Sequence, residues 1–157
     1  MKMILQVSKT LILYLVLFLS LSCNSDDNSS FVPQTITPNL IYKGDFSSFT
    51  YNPTQHGEII TTQADWDNFR STHWLYGLQL AEANNINFSN QMVILAFDTP
   101  KATTSGTLEV NFGTITENVD NILVPILYSG QAGLGQMPSR VCNFIKIPKS
   151  TKPVVFQ

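Results

Sequence analysis

Met92-Val93-Ile94-Leu95-Ala96-Phe97 places six apolar residues in a row. The run is strand-sized, and successive side chains on a strand face opposite ways. Such a segment has to be a central strand covered on both faces. Around it the sequence supplies further strands. Gly106 to Ile115 (GTLEVNFGTI) alternates, with Leu108, Val110 and Phe112 on one face and Thr107, Glu109 and Asn111 on the other. Ile115 is out of phase with Leu108, so Gly113 marks a bulge. Glu117 to Asn121 reads as a hairpin connection, and Ile122 to Tyr128 as its return strand. Pro125 has no N–H to give a ladder, which points to an edge or a bulge there. Val141 to Ile147 is another strand. Leu40 to Tyr42, Glu58 to Thr61 and Pro153 to Phe156 are shorter ones.

A single helix stands out. Thr62 is placed to cap it, and Asp65 to reach back toward the cap and sit at the positive end of the helix. Trp66, Phe69 and His73 then fall on one face at i, i+3 and i+7, with Asp67, Asn68, Arg70 and Ser71 elsewhere. The helix is expected from about Ala64 to Trp74, with Gly77 after it. It docks two large rings on the sheet. The expected fold class is therefore α+β or mostly β: an antiparallel sheet or small β-sandwich packed by one amphipathic helix, with Trp66 and Phe69 in the core.

The first 22 residues read as an export signal. Lys2 and Lys9 give a positive start, and an apolar stretch of about a dozen residues follows, short of the roughly 20 that span a bilayer. It ends at Leu19-Ser20-Leu21-Ser22-Cys23, which resembles a bacterial lipobox, and Cys23 is expected to carry the lipid. Several acyl chains anchor stably because each buried methylene contributes about 0.8 kcal/mol. Asn24-Ser25-Asp26-Asp27 is similar to the acidic export signal of Bacteroidota-type surface lipoproteins. It implies a domain outside the outer membrane, with a periplasm-facing domain as the alternative. Residues 23–39 are rich in Ser, Asn, Thr and Pro and read as a flexible tether. Residues 40–157 are expected to form the single globular domain.

Charge and cysteines exclude several functions. The formal charge is −2, and −4 once Lys2 and Lys9 leave with the signal. The remaining cations are scattered singly, so the chain lacks the clustered charge that nucleic-acid binding needs. With Cys23 lipidated, Cys142 stands alone in an apolar strand as a small core residue, since a nucleophile would need a base beside it. No metal ligands recur at helical or knuckle spacing, and no pair of carboxylates is set up by the pattern. The chain is read as noncatalytic, with no cofactor.

Ser129 to Ser139 (SGQAGLGQMPS) is Gly-rich, but it lacks the lysine of a phosphate loop, and its glycines are spaced GxxGxG. As a loop between strands it is the candidate contact surface, through Gly130, Gly133, Leu134, Gly135 and Met137.

One resemblance runs through most of Glu58 to Phe156. It is carried by Glu58-Ile59-Ile60 running into Ala64-Asp65-Trp66-Asp67-Asn68-Phe69, and by Ile86-Asn87-Phe88-Ser89 leading into Met92-Val93-Ile94. It continues with Thr104-Ser105-Gly106-Thr107-Leu108, and with Met137-Pro138-Ser139 before a strand ending Ile145-Lys146-Ile147-Pro148. In this order the pieces resemble the PrcB C-terminal domain family, named for a lipoprotein that associates with a surface protease complex. The resemblance implies a binding or accessory module for another exported protein, with no catalytic residues to carry over. The alternative is a glycan-binding lipoprotein of an outer-membrane uptake system, using aromatics such as Tyr51, Trp74 and Tyr76.

Overall fold

A computed structural model describes residues 31–45, 54–73, 81–102, 108–130 and 138–157. These residues belong to one compact unit, Phe31–Gln157. In chain order the strands are β1 Gln34–Ile36, β2 Asn39–Asp45, β3 His56–Ile60, β4 Gln91–Phe97, β5 Lys101–Ala102, β6 Glu109–Phe112, β7 Ile115–Glu117, β8 Ile122–Val124, β9 Ile126–Ser129, β10 Pro138–Ser139, β11 Val141–Pro148 and β12 Val154–Phe156. The helices are α1 Gln63–His73 and the one-turn α2 Ala81–Asn84.

Among the described residues the fold is mostly β with one long helix, in line with the α+β expectation. Its centre is an antiparallel sheet in the order β2-β11-β4-β3. The apolar run lies in β4, and every residue from Met92 to Phe97 is buried. Val93, Leu95 and Phe97 face α1 and join Trp66, Phe69, Ile60, Cys142 and Phe144 in one core cluster. Met92 and Ile94 face the other way, onto Ile115, Ile122, Val124, Ile145 and Ile147. Ala96 faces Leu108, Val110, Ile126 and Val141. The strand with apolar residues on both faces is thus the middle layer of three: helix, sheet, and a second β layer.

That second layer is built on one bent hairpin. β6 pairs with β9 and β7 with β8, with a break between the two halves at Gly113-Thr114 on one arm and Pro125 on the other. Gly113 N–H donates to the Pro125 carbonyl at 2.9 Å across the break. The missing N–H of Pro125 therefore falls where the ladder is already interrupted. The same break resets the phase, so that Ile115 turns inward and is 1% exposed. β12 then adds to β8 in parallel, which the strand pattern alone did not indicate.

The domain begins earlier than Leu40. β1 pairs with β7 through Gln34–Glu117, Thr35–Thr116 and Ile36–Ile115, inside the stretch expected to be tether. Only Ile36 turns toward the core, and Thr35, Thr37 and Pro38 around it gave the segment its linker composition.

The helix start follows the expected chemistry with one change. Thr62 Oγ1 accepts from the Asp65 N–H at 3.1 Å, a capping bond, while the Asp65 carboxylate turns back to the Thr62 hydroxyl at 2.6 Å. Trp66 and Phe69 are 1% and 6% exposed, and Trp66 Nε1 donates to the Ala83 carbonyl at 3.0 Å. His73 stays half-buried against the Phe69 ring. Among the described residues no helix is long and apolar enough to cross a membrane.

Candidate functional site

β4 and β11 carry the chain between two poles of the domain. One pole gathers the end of β4, the start of β11 and the residues just before β3. Phe97 lies opposite both Cys142 and His56 in the central sheet, and Asp98 N–H continues the ladder by donating to the Val141 carbonyl at 3.0 Å.

Asp98 organises this pole. Its side chain is fully buried. Oδ1 accepts from Gln55 Nε2 at 2.8 Å, from the Thr99 N–H at 2.8 Å and from the Thr99 hydroxyl at 3.3 Å. Oδ2 pairs with the Lys101 ammonium. Burial by itself would raise this carboxyl's pKa, but Lys101, Gln55 and Thr99 together hold it below the usual aspartate value. A carboxylate with its oxygens so filled makes a poor general base and a strong brace. It ties the segment before β3 to the turn after β4. No local sequence pattern links Asp98 to its partner Gln55, 43 residues away.

The brace fixes a two-residue ribbon. β5 pairs with β10 through Lys101–Ser139 and Ala102–Pro138. The ribbon therefore holds one end of segment 103–107, at Ala102, beside one end of segment 131–137, at Pro138. Tyr128, in β9, lies within reach of the same charge: burial, and then Asp98, push its phenol up. Gly130 follows, with a φ of 99°. That left-handed conformation suits glycine and turns the chain out of the sheet.

Of the contact residues expected from sequence, Gly130 is described, and it stands exposed at this pole. Gly133, Leu134, Gly135 and Met137 lie outside the described residues, as do Cys23, Tyr51, Trp74 and Tyr76. The segment holding Gly133 to Met137 rejoins the described fold at Pro138, on the β5–β10 ribbon.

Other ionisable groups here are held in structural pairs. His56 stacks on Phe97 with ring centroids 5.2 Å apart, and its Nε2 lies 2.6 Å from Glu58 Oε1, an ion pair when the ring is protonated. Lys43 on β2 reaches Glu109 on β6 at 3.1 Å. Asn111 first, and then Lys43, hold the Glu109 carboxyl below its usual pKa. Cys142 faces the helix side of the sheet and is buried. Burial, and then Asp45, push its pKa well above the usual thiol value. The thiol therefore stays protonated at neutral pH and serves as core volume. Among the described residues no group of three His, Cys, Asp or Glu side chains is placed to hold a metal ion.

Comparison with known proteins returns no match: no family model fits the chain, and no curated protein or solved structure is significantly similar to it.

Proposed function

We propose that this chain is a surface-anchored, noncatalytic lipoprotein whose globular domain binds or stabilises another exported protein. The observation that carries this reading is the braced pole. A buried carboxylate, a short ribbon and two strands buried on both faces hold one end of each of two connections side by side, at Ala102 and Pro138. Binding function concentrates on loops positioned by rigid scaffolds of this kind. The Ser22-Cys23 signal supports anchoring by lipid at the outer membrane, and Asn24 to Asp27 support exposure to the cell exterior. The resemblance to the PrcB C-terminal domain family supports a protease or protease complex as the class of partner.

Site-directed photo-crosslinking in intact cells tests the proposal. A photoreactive phenylalanine analogue at Ser129, beside Gly130, is expected to capture one exported protein. The same probe at Val119, on the hairpin tip at the other pole and 57% exposed, is expected to capture none. Equal capture from both positions, or none from Ser129, refutes the assignment of the partner surface. Cys23→Ala is expected to abolish labelling by an alkynyl fatty acid and to release the protein from the membrane fraction. Unchanged labelling refutes the anchor.

A further inference from the structure

Arg140 links β10 to β11, so it stands at the braced pole beside the β5–β10 ribbon. We infer that its guanidinium receives a carboxylate presented by the exported partner. The inference rests on the partner-binding reading above and names the chemistry of that contact.

A guanidinium stays charged at any physiological pH and carries five N–H donors in a planar fork. Among the described residues, the ion pairs of this pole are Lys43–Glu109, His56–Glu58 and Lys101–Asp98, and Arg140 belongs to none of them. Asp45 lies opposite Val141 in the ladder and makes no ion pair with Arg140. The segments that continue from strands of this pole beyond the described residues, 46–53, 103–107 and 131–137, contain no Asp or Glu, so none of them supplies the counter-charge. Arg140 is half-buried, and its Nε is enclosed without a hydrogen-bond acceptor. An enclosed donor left unpaired is costly. The enclosed Nε also fixes the stem and leaves Nη1 and Nη2 as the end that meets solvent.

The surroundings select the anion. Asp45, Glu58, Asp98 and Glu109 match or outnumber Lys43, Lys101, Arg140 and His56, whatever the charge on His56. A phosphate would bring more negative charge to a pole where Arg140 is the one described cation outside an ion pair. An anionic membrane surface is held by clusters of cations, which this pole lacks. A single carboxylate fits a single fork, with two parallel N–H···O bonds to Nη1 and Nη2. Ser129 belongs to the same end: it lies opposite Glu109, which pairs with Lys43, and Lys43 lies opposite Asn143 in β11.

The chain has two arginines, Arg70 and Arg140, so isotope-labelled arginine in the full chain, held in maltoside micelles, gives two Nε–H signals by NMR. The probes are the N-methylamide of N-acetylglutamate with its side-chain carboxylate, N-acetylglutamine with its terminal carboxylate, the uncharged N-methylamide of N-acetylglutamine, and inorganic phosphate, all at matched ionic strength. A carboxylate is expected to shift the Arg140 signal saturably and leave Arg70 in place, with half-saturation on the order of 10–100 mM for one charge-assisted pair. The stronger of the two carboxylates tells a side chain from a chain terminus as the source. No saturable shift, an equal shift from the uncharged amide, or tighter binding of phosphate overturns the inference. In cells, the Ser129 probe on Arg140→Gln is expected to capture the partner at least about fivefold less than on the wild-type chain. Arg140→Lys, which keeps the charge and loses the fork, should fall between. Arg140→Gln is expected to keep the wild-type Tm, since no ion pair of the described fold is lost, so reduced capture reports the contact and not folding. Undiminished capture by Arg140→Gln overturns the Arg140 contact and leaves the partner reading standing. No capture by the wild-type chain overturns the partner reading, and the inference with it.

Discussion

Gly57→Ala tests how the two β layers are held together. Gly57 lies in edge strand β3, and the ring of Phe156, from the C-terminal strand β12, packs against its bare backbone. A Cβ placed on Gly57 would bring three carbons of that ring inside 3.0 Å. The backbone of β3 is pinned to β4 by its ladder, so the ring has to yield. Phe156 touches both clusters on the second face of the sheet, the one around Ile94 and the one around Ala96. Lifting it exposes part of an aromatic side chain whose full burial is worth about 1.5–3 kcal/mol. Phe156 is only half-buried, so the expected cost of Gly57→Ala is about 1–2 kcal/mol, a loss in Tm of roughly 3–8 °C for a domain of this size. Phe156→Ala should cost about as much on its own. With the ring gone, Gly57→Ala should be neutral or stabilising by a few tenths of a kcal/mol, since alanine gives up less conformational freedom than glycine. The assay is a double-mutant cycle by chemical denaturation. If Gly57→Ala destabilises equally with and without the Phe156 ring, the close approach is not why glycine stands there, and the argument fails.

Two further predictions concern buried titratable groups. Because the folded state holds the Asp98 pKa down, the charge stabilises the fold above the ordinary aspartate value of about 3.9, and that stability is lost as pH falls through the lower folded value. Asp98→Asn should therefore cost about 2 kcal/mol at pH 7, discounted because Lys101 is about a third exposed and partly screened. Denaturation curves should show the gap from wild type closing below about pH 4, and a gap independent of pH would contradict the brace. For Cys142, iodoacetamide should leave the native thiol unmodified at neutral pH and alkylate it quickly in denaturant, read by intact mass. Fast labelling of the native protein would mean the thiol is reachable.

Much of the fold was legible because some local signals have only one packing solution. Six apolar residues in β4 need two covered faces. The Trp66–Phe69 stripe needs a sheet to lie on. The phase slip between Leu108 and Ile115 needs an extra residue, and Gly113-Thr114 supplies it opposite Pro125. What stayed hidden depends on contacts distant in sequence. β1 has a single inward side chain, Ile36, too little for periodicity to register against Thr35, Thr37 and Pro38. The parallel pairing of β12 with β8 is a matter of strand order, which alternation does not encode. β11 conceals two polar residues: Asn143 donates to the Val110 carbonyl at 3.0 Å, and Lys146 reaches the Asn85 carbonyl at 2.9 Å. Neither partner is a sequence neighbour. Asp98 is the same case at the candidate site, since its burial follows from Gln55 and Lys101 closing over it.

The two poles differ in how they are held, and that difference bears on what each can do. At the end away from the β5–β10 ribbon, long side chains staple turns to the core: Lys149 to Thr61 and Phe88, and Lys152 to Glu117 and the Asn118 carbonyl, with the same ammonium 4.5 Å from the Phe31 ring centroid. The chain enters the described fold there, so any pull on the N-terminal segment reaches the domain through β1 and these staples. At the other end a single buried carboxylate braces the turns from within. The seven residues of β4 set the separation, about 20 Å at roughly 3.3 Å per residue. Phe31, where the described fold begins, therefore lies toward the opposite end of the central sheet from the β5–β10 ribbon. That separation keeps the turns stapled by Lys149 and Lys152 apart from the turns braced by Asp98.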